Sequence, residues 1–163
     1  MYTVTNNDDL NKLIFKNKDK IILLYFGAEW CGPCKKLKEN FKNDDLMNQY
    51  DKLCVIYLDV DLDTMNNMCE IYEVEALPTQ WFLLFKDFSM ERLHKIVGFN
   101  WEELNNTYLQ SLELLNDLNQ KTINSDKSNV TNESNDFNES NDSNESNESN
   151  DSNESNESND LVD

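Results

Sequence analysis

Lys20-Ile21-Ile22-Leu23-Leu24-Tyr25-Phe26-Gly27-Ala28-Glu29-Trp30-Cys31-Gly32-Pro33-Cys34 decides how the chain reads. From Ile21 to Phe26 it is continuously apolar and β-prone, with no polar alternation. A strand buried on both faces reads that way, inside a sheet covered by helices on either side. Two cysteines follow directly, and Pro33 stands near the start of a helix, where its missing N–H costs nothing. A cysteine at a helix N-terminus meets the partial positive charge of unpaired amides, which favours thiolate over thiol. Cys34 falls one helical turn further in, within disulfide reach of Cys31 and sheltered from solvent. An accessible sulfur beside a buried one is the asymmetry that thiol–disulfide exchange uses. The alternatives for such a pair are a structural disulfide and half of a zinc site. Zinc wants four ligands, and the sequence holds no second Cys-x-x-Cys and no Cys–His pair, so no metal is expected. The strand-to-helix setting favours the redox reading.

Outward from the motif, strand and helix signals alternate. Tyr2–Thr5 is a short strand candidate; Leu10, Leu13 and Ile14 then sit at helical spacing behind Asn and Asp residues that can cap. A helix is predicted from about Pro33 to Gln49 and a second apolar strand over Leu53–Val60. Met65, Met68, Cys69 and Tyr72 form one buried helical stripe. Thr79–Phe85 and Arg92–Val97 read as the arms of a hairpin. Asn100 with Glu103 makes a capping-box start for a helix to about Asn119, its core face Trp101, Leu104, Tyr108, Leu112 and Leu115. The order βαβαβαββα predicts an α/β fold, a central mixed β-sheet flanked by helices on both faces.

A length of 163 residues suggests one domain with a remainder. The net charge is −18, and residues 122–163 contribute a single lysine against twelve carboxylates. From Asn124 onward the composition collapses to Ser, Asn, Asp and Glu in Ser-Asn-acid triplets, and in residues 122–163 only Ile123, Val130, Phe137, Leu161 and Val162 could bury anything. Ordering each residue costs about 1–2 kcal/mol of backbone entropy, which five scattered apolar groups do not offset. The triplets also lack the apolar residues that a solenoid stacks. The expectation is a folded domain over 1–119 and a disordered, acidic, low-complexity tail over 120–163. So negative a chain is not expected to bind nucleic acid or an anionic membrane. No apolar run approaches the length of a membrane span, the longest being Ile21 to Phe26. Met1 to Asp9 shows neither a basic n-region nor an apolar h-region, so no signal peptide is expected. Four cysteines make no disulfide framework, and a cytoplasmic, reducing location is expected.

Ala28-Glu29-Trp30-Cys31-Gly32-Pro33-Cys34-Lys35 resembles the active-site signature of the thioredoxin family. Leu77-Pro78-Thr79 resembles the family's cis-proline loop, and Val97-Gly98 its glycine loop; Asp59-Val60-Asp61 ends the middle strand as in the family. The resemblance covers roughly residues 1–119. It implies a thioredoxin fold and reduction of protein disulfides, with Cys31 the nucleophile and Cys34 the resolving thiol. Trp30, Gly32, Pro33, Leu77, Pro78 and Gly98 would shape the substrate-docking surface, the backbone of Leu77 pairing with the substrate chain. No bound cofactor is implied: the redox centre is the Cys31–Cys34 disulfide, reduced by an NADPH-dependent thioredoxin reductase. Partners would be that reductase and disulfide-containing proteins such as peroxiredoxins, met by a monomer working in electron transport and cell redox homeostasis.

The sequence departs from the family pattern in several places. Tyr25 occupies the position of a buried Asp, and Tyr57 that of a Lys with which it often pairs. Glu39 lies near the place of the family's kink proline, and the hairpin from Lys86 to Glu91 is longer than usual and lacks an Asn-Gly turn. Tyrosine, with a pKa of about 10, is a poor base at neutral pH, so a stable protein with slow release from Cys34 is expected. The competing reading is a thioredoxin-fold adaptor whose dithiol is vestigial. Elsewhere, Cys54 and Cys69 are expected to be inert core thiols, His94 a surface residue, and Lys35, Lys38 and Lys42 a solvated helix face. Tail units such as Asn132-Glu133-Ser134 match a glycosylation sequon that a chain without a signal peptide would not use, and the tail serines precede acids as kinase acceptors do. The alternative for the tail is a neutral expansion that aids solubility.

Overall fold

The computed structural model describes residues 1–86 and 89–130, with side chains through residue 121. Its centre is strand β2 (Ile21–Gly27), every residue of which is buried, as the unbroken apolar run requires. β2 runs parallel to β3 (Leu53–Asp59), with Tyr25 opposite Tyr57, and antiparallel to β4 (Thr79–Lys86). β1 (Tyr2–Val4) adds in parallel outside β3, and β5 (Ser89–Val97) antiparallel outside β4, giving the order β1-β3-β2-β4-β5.

Strand alternation sorts the core into two layers. Ile21, Leu23 and Tyr25 face Leu37 and Phe41 of α2 (Gly32–Lys42) and Leu104, Tyr108 and Leu115 of α5 (Trp101–Val130). Ile22, Leu24 and Phe26 face Leu10 of α1 (Asn7–Lys16) together with Met65 and Tyr72, which flank α4 (Asn66–Ile71). Each large apolar side chain so enclosed contributes about 1.5–3 kcal/mol relative to exposure. The expected core face of the last helix is the observed one, with Trp101 and Leu112 packed at its margin.

Three expectations need correction. The helix predicted from Pro33 to Gln49 breaks at Asn43, whose backbone is extended (ψ 108°) and whose side chain accepts the Leu46 N–H at 3.1 Å. Asn43-Asp44-Asp45 is an N-cap with an acidic first turn, and it starts α3 (Asp44–Met47) and a 3₁₀ turn over Asn48–Tyr50. The hairpin is tighter than expected: β5 begins at Ser89, paired with Lys86, because Ser89-Met90-Glu91 holds no glycine or proline to stop pairing. A bulge absorbs the odd residue, Phe82 facing His94 while Leu83 faces Arg92. Finally α5 continues to Val130, past the expected helix end at about Asn119. No glycine or proline occurs from Trp101 to Val130 to end it. The rest of the expected tail, residues 131–163, lies outside the described residues.

α4 ends in a Schellman arrangement: Val74 N–H donates to Cys69 C=O at 2.9 Å and Glu73 N–H to Glu70 C=O at 3.1 Å. That geometry puts Glu73 at φ +50°, a left-handed conformation which glycine adopts freely and glutamate does not. Glu73→Gly is expected to raise stability by about 0.5–1 kcal/mol, read as a higher urea midpoint at unchanged slope. A lower midpoint would show that the Glu73 side chain contributes more than the backbone strain costs.

Candidate redox site

Cys31 is the N-cap of α2. Its φ and ψ of −82° and 110° turn the chain from the strand end into the helix, and its sulfur accepts the Cys34 N–H at 3.2 Å. Pro33 occupies the first turn. The two sulfurs are bonded to each other, with Cα atoms 5.2 Å apart, so this is the oxidised form. Cys34 is 2% exposed and Cys31 only 5%, a smaller contrast than the expected accessible and buried pair. In the disulfide the Cys31 side chain is drawn in against the helix start, and it is reached through a groove rather than from an open surface.

That groove, of about 600 Å³, runs between Trp30, Cys31, Val60, Val74 and Leu77. Trp30 is 69% exposed and is held upright by its indole N–H, which donates to the Asp61 carboxylate at 3.0 Å. A second concavity on the other side is formed by Gly32, Pro33, Lys36, Leu77, Gly98 and Phe99. Leu77 therefore stands between the two, and it is joined to Pro78 by a cis peptide bond. Pro78 is buried, and its carbonyl accepts the Gly98 N–H at 2.7 Å, tying the β5 end to the loop before β4. Gly98 sits at φ +88°, which explains glycine there. Five of the six expected docking residues thus line the concavities at the dithiol, and Pro78 supports them from below.

Under the disulfide the Tyr25 hydroxyl donates to the Cys34 carbonyl at 2.6 Å. The Tyr57 ring packs 5.2 Å away, centroid to centroid. Burial pushes both phenols far above the ordinary tyrosine range, helped by the Glu29 charge, so both are neutral. A Cβ on Gly27 would stand 3.0 Å from the Tyr57 ring and 3.2 Å from the Tyr25 hydroxyl, so this glycine makes room for the two rings.

Two sequence expectations change here. Lys38 is not part of a solvated face: its side chain is 21% exposed, its ammonium lies 4.2 Å from the Tyr57 ring centroid, and it pairs with the Glu29 carboxylate. Cys69 is half-buried and lines the Trp30 groove, because α4 is too short to keep the whole stripe covered. Cys54 is a core thiol, pushed up to about 11 by burial, and Cys69 is raised for the same reason. His94 is exposed on β5, its Nε2 3.2 Å from the Glu103 carboxylate. Sequence reading missed the Asp61 hold on Trp30, the Gly27 contact and the Lys38 placement. Only the last left a signal, the four-residue spacing from Cys34.

A dithiol at a helix N-cap, opening on an apolar groove opposite a cis-proline, is the working part of a thiol–disulfide oxidoreductase of the thioredoxin fold. The family profile described as Thioredoxin matches residues 1–111. The chain is 32% identical over 109 residues to a thioredoxin of Coprinus comatus, covering 67% of this chain and 95% of that one. With Thioredoxin-T of Drosophila melanogaster it shares 34% identity over 104 residues, covering 64% of this chain and 62% of the relative. The crystal structure of the Drosophila germline-specific thioredoxin Deadhead superposes with a TM-score of 0.58 at 33% identity, over 68% of this chain and 98% of that one. This chain belongs to the thioredoxin family.

Tyr25→Phe deletes one buried hydrogen bond and is expected to cost about 1 kcal/mol in urea denaturation. Gly27→Ala displaces both rings at once and is expected to cost more, about 1–3 kcal/mol. Equal and negligible losses would mean that the tyrosines do not anchor α2 to the sheet.

Proposed function

We propose that this thiol–disulfide oxidoreductase works in the cytoplasm as a monomer, reduces disulfides in other proteins and is recharged by an NADPH-dependent thioredoxin reductase. The observation that carries the reading is the Cys31–Cys34 disulfide seated on the α2 N-terminus and opening on an apolar groove. In the reduced form the Cys31 thiolate, favoured by the helix amides, attacks one sulfur of the substrate disulfide, and the other leaves as a thiolate. Cys34 then attacks Cys31, the Cys31–substrate bond breaks, and the substrate departs with two thiols while the dithiol becomes the disulfide. Trp30, Gly32, Pro33, Leu77, Pro78 and Gly98 form the docking surface, where an extended substrate segment pairs with the Leu77 backbone. Peroxiredoxins are among the proteins of suitable chemistry. The acidic residues beyond 120 keep the protein soluble and take no part in the exchange.

The adaptor reading has one observation in its favour: the group beneath Cys34 is Tyr25, not a carboxylate that could take the Cys34 proton. Cys34→Ser separates the two readings. The variant is expected to accumulate mixed disulfides with cellular proteins through Cys31, while wild type with reductase and NADPH turns over a protein disulfide. No capture and no turnover would establish an adaptor.

A further inference from the structure

We propose that Lys38 is a positioning residue for the second half of the exchange: its ammonium, held over Tyr57 by Glu29, favours the Cys34 thiolate that attacks the Cys31–substrate disulfide. The inference rests on the reductase reading above.

Lys38 follows Cys34 by four residues on α2, so the two side chains leave the helix on one face, one turn apart. The lysine does not extend into water. It folds inward against β3, with its ammonium at the Tyr57 ring face and paired to Glu29, which sits at the start of the loop entering the motif. A cation is thus lodged beside the sheet on the side of α2 that carries the buried resolving thiol. Among the described residues, the following charged and titratable groups surround this place. From β2 comes Tyr25 and from β3 Tyr57, both neutral; Asp59 and Asp61 act on Tyr57 from the strand end. From α2 come Lys35 and Lys42, which with Lys38 hold the Glu29 carboxylate below its usual range. Among the described residues, no carboxylate hydrogen-bonds to the Cys34 backbone or sulfur; the Tyr25 hydroxyl does so at the carbonyl.

The second step needs Cys34 to give up its proton to solvent. The thiolate forms an S–S bond with Cys31, the Cys31–substrate bond breaks, and the substrate sulfur leaves with the electron pair and is then protonated. A nearby ammonium stabilises the thiolate without being a base, so its removal raises the pH at which Cys34 becomes reactive. Because a more basic thiolate is also a better nucleophile, a rise of about one pH unit lowers the rate at neutral pH by only about threefold.

The test is stopped-flow reaction of the reduced full-length protein with 5,5′-dithiobis(2-nitrobenzoate), which releases one thionitrobenzoate in the Cys31 phase and the second in the Cys34 phase. Every sample, the wild-type reference included, carries Cys69→Ser so that the groove thiol does not contribute. In Lys38→Met the midpoint of the second-phase pH profile is expected to rise by about half to one unit, with the first phase changed less than twofold and the profile restored in Lys38→Arg. Lys38→Gln serves as a second charge-free variant and is expected to behave as Met does. An unmoved second-phase profile in both charge-free variants, or an equal slowing of both phases, overturns the proposal. Absence of the first phase in wild type would instead remove the reductase reading itself.

Discussion

The hydrogen bond from the Tyr25 hydroxyl to the Cys34 carbonyl joins the two elements on which the site depends. β2 is the fully buried centre of the sheet, and α2 carries both sulfurs at its first turn. Without a tie between them, the N-terminus of α2 would be held to the sheet by the packing of Cys31, Cys34, Leu37 and Phe41, with no hydrogen bond from Tyr25 to orient it. The bond fixes Cys34 relative to the strand, while the cis peptide at Pro78 and the Gly98 N–H fix the opposite wall of the groove. Each of these ties uses a neutral group, so none is lost by titration near neutral pH.

Substituting a phenol for a buried carboxylate changes the balance of stability and chemistry. A buried carboxylate carries a desolvation penalty of several kcal/mol unless it is fully hydrogen-bonded. Tyr25 avoids that penalty, fills the space beside Phe41 and Tyr57, and spends its single proton on a backbone carbonyl. A phenol there offers no proton acceptor under Cys34 at neutral pH. Charge is nonetheless present at the edge of the same tyrosine pair, in Glu29 and Lys38.

Most of the fold and the position of the Cys31–Cys34 pair were legible in the sequence because each rests on local, strong signals. The apolar run from Ile21 to Phe26, the dithiol with Pro33, and the capping of α5 by Asn100 and Glu103 all act within a few residues. Less legible were features set by competition or by distance. The break of α2 at Asn43 is a contest between a helix-compatible segment and a side chain that caps better than it continues. The bulge in the β4–β5 pair keeps Ile96 pointing inward, and its position follows from the whole register. The hold of Asp61 on Trp30 spans 31 positions. No local pattern announces such a contact. The spacing from Cys34 puts Lys38 on the inner side of α2, but its inward turn is set by the Tyr57 ring on β3 and the Glu29 carboxylate, which helix periodicity does not show.

The most direct measurement is on Tyr25→Asp, following stopped-flow reduction of a protein disulfide alongside denaturant melts across pH. A carboxyl in this buried place would have its pKa raised above the unfolded value near 3.9, so its stability contribution is present at low pH and is lost as pH rises through the raised value. If a neutral tyrosine anchor gives stability at the expense of a proton acceptor, Cys34 in the variant resolves the Cys31–substrate disulfide faster than in wild type. The variant also melts earlier, by a margin that widens from pH 5 to pH 8. An unchanged resolution rate, or a melting margin that does not depend on pH, would contradict this.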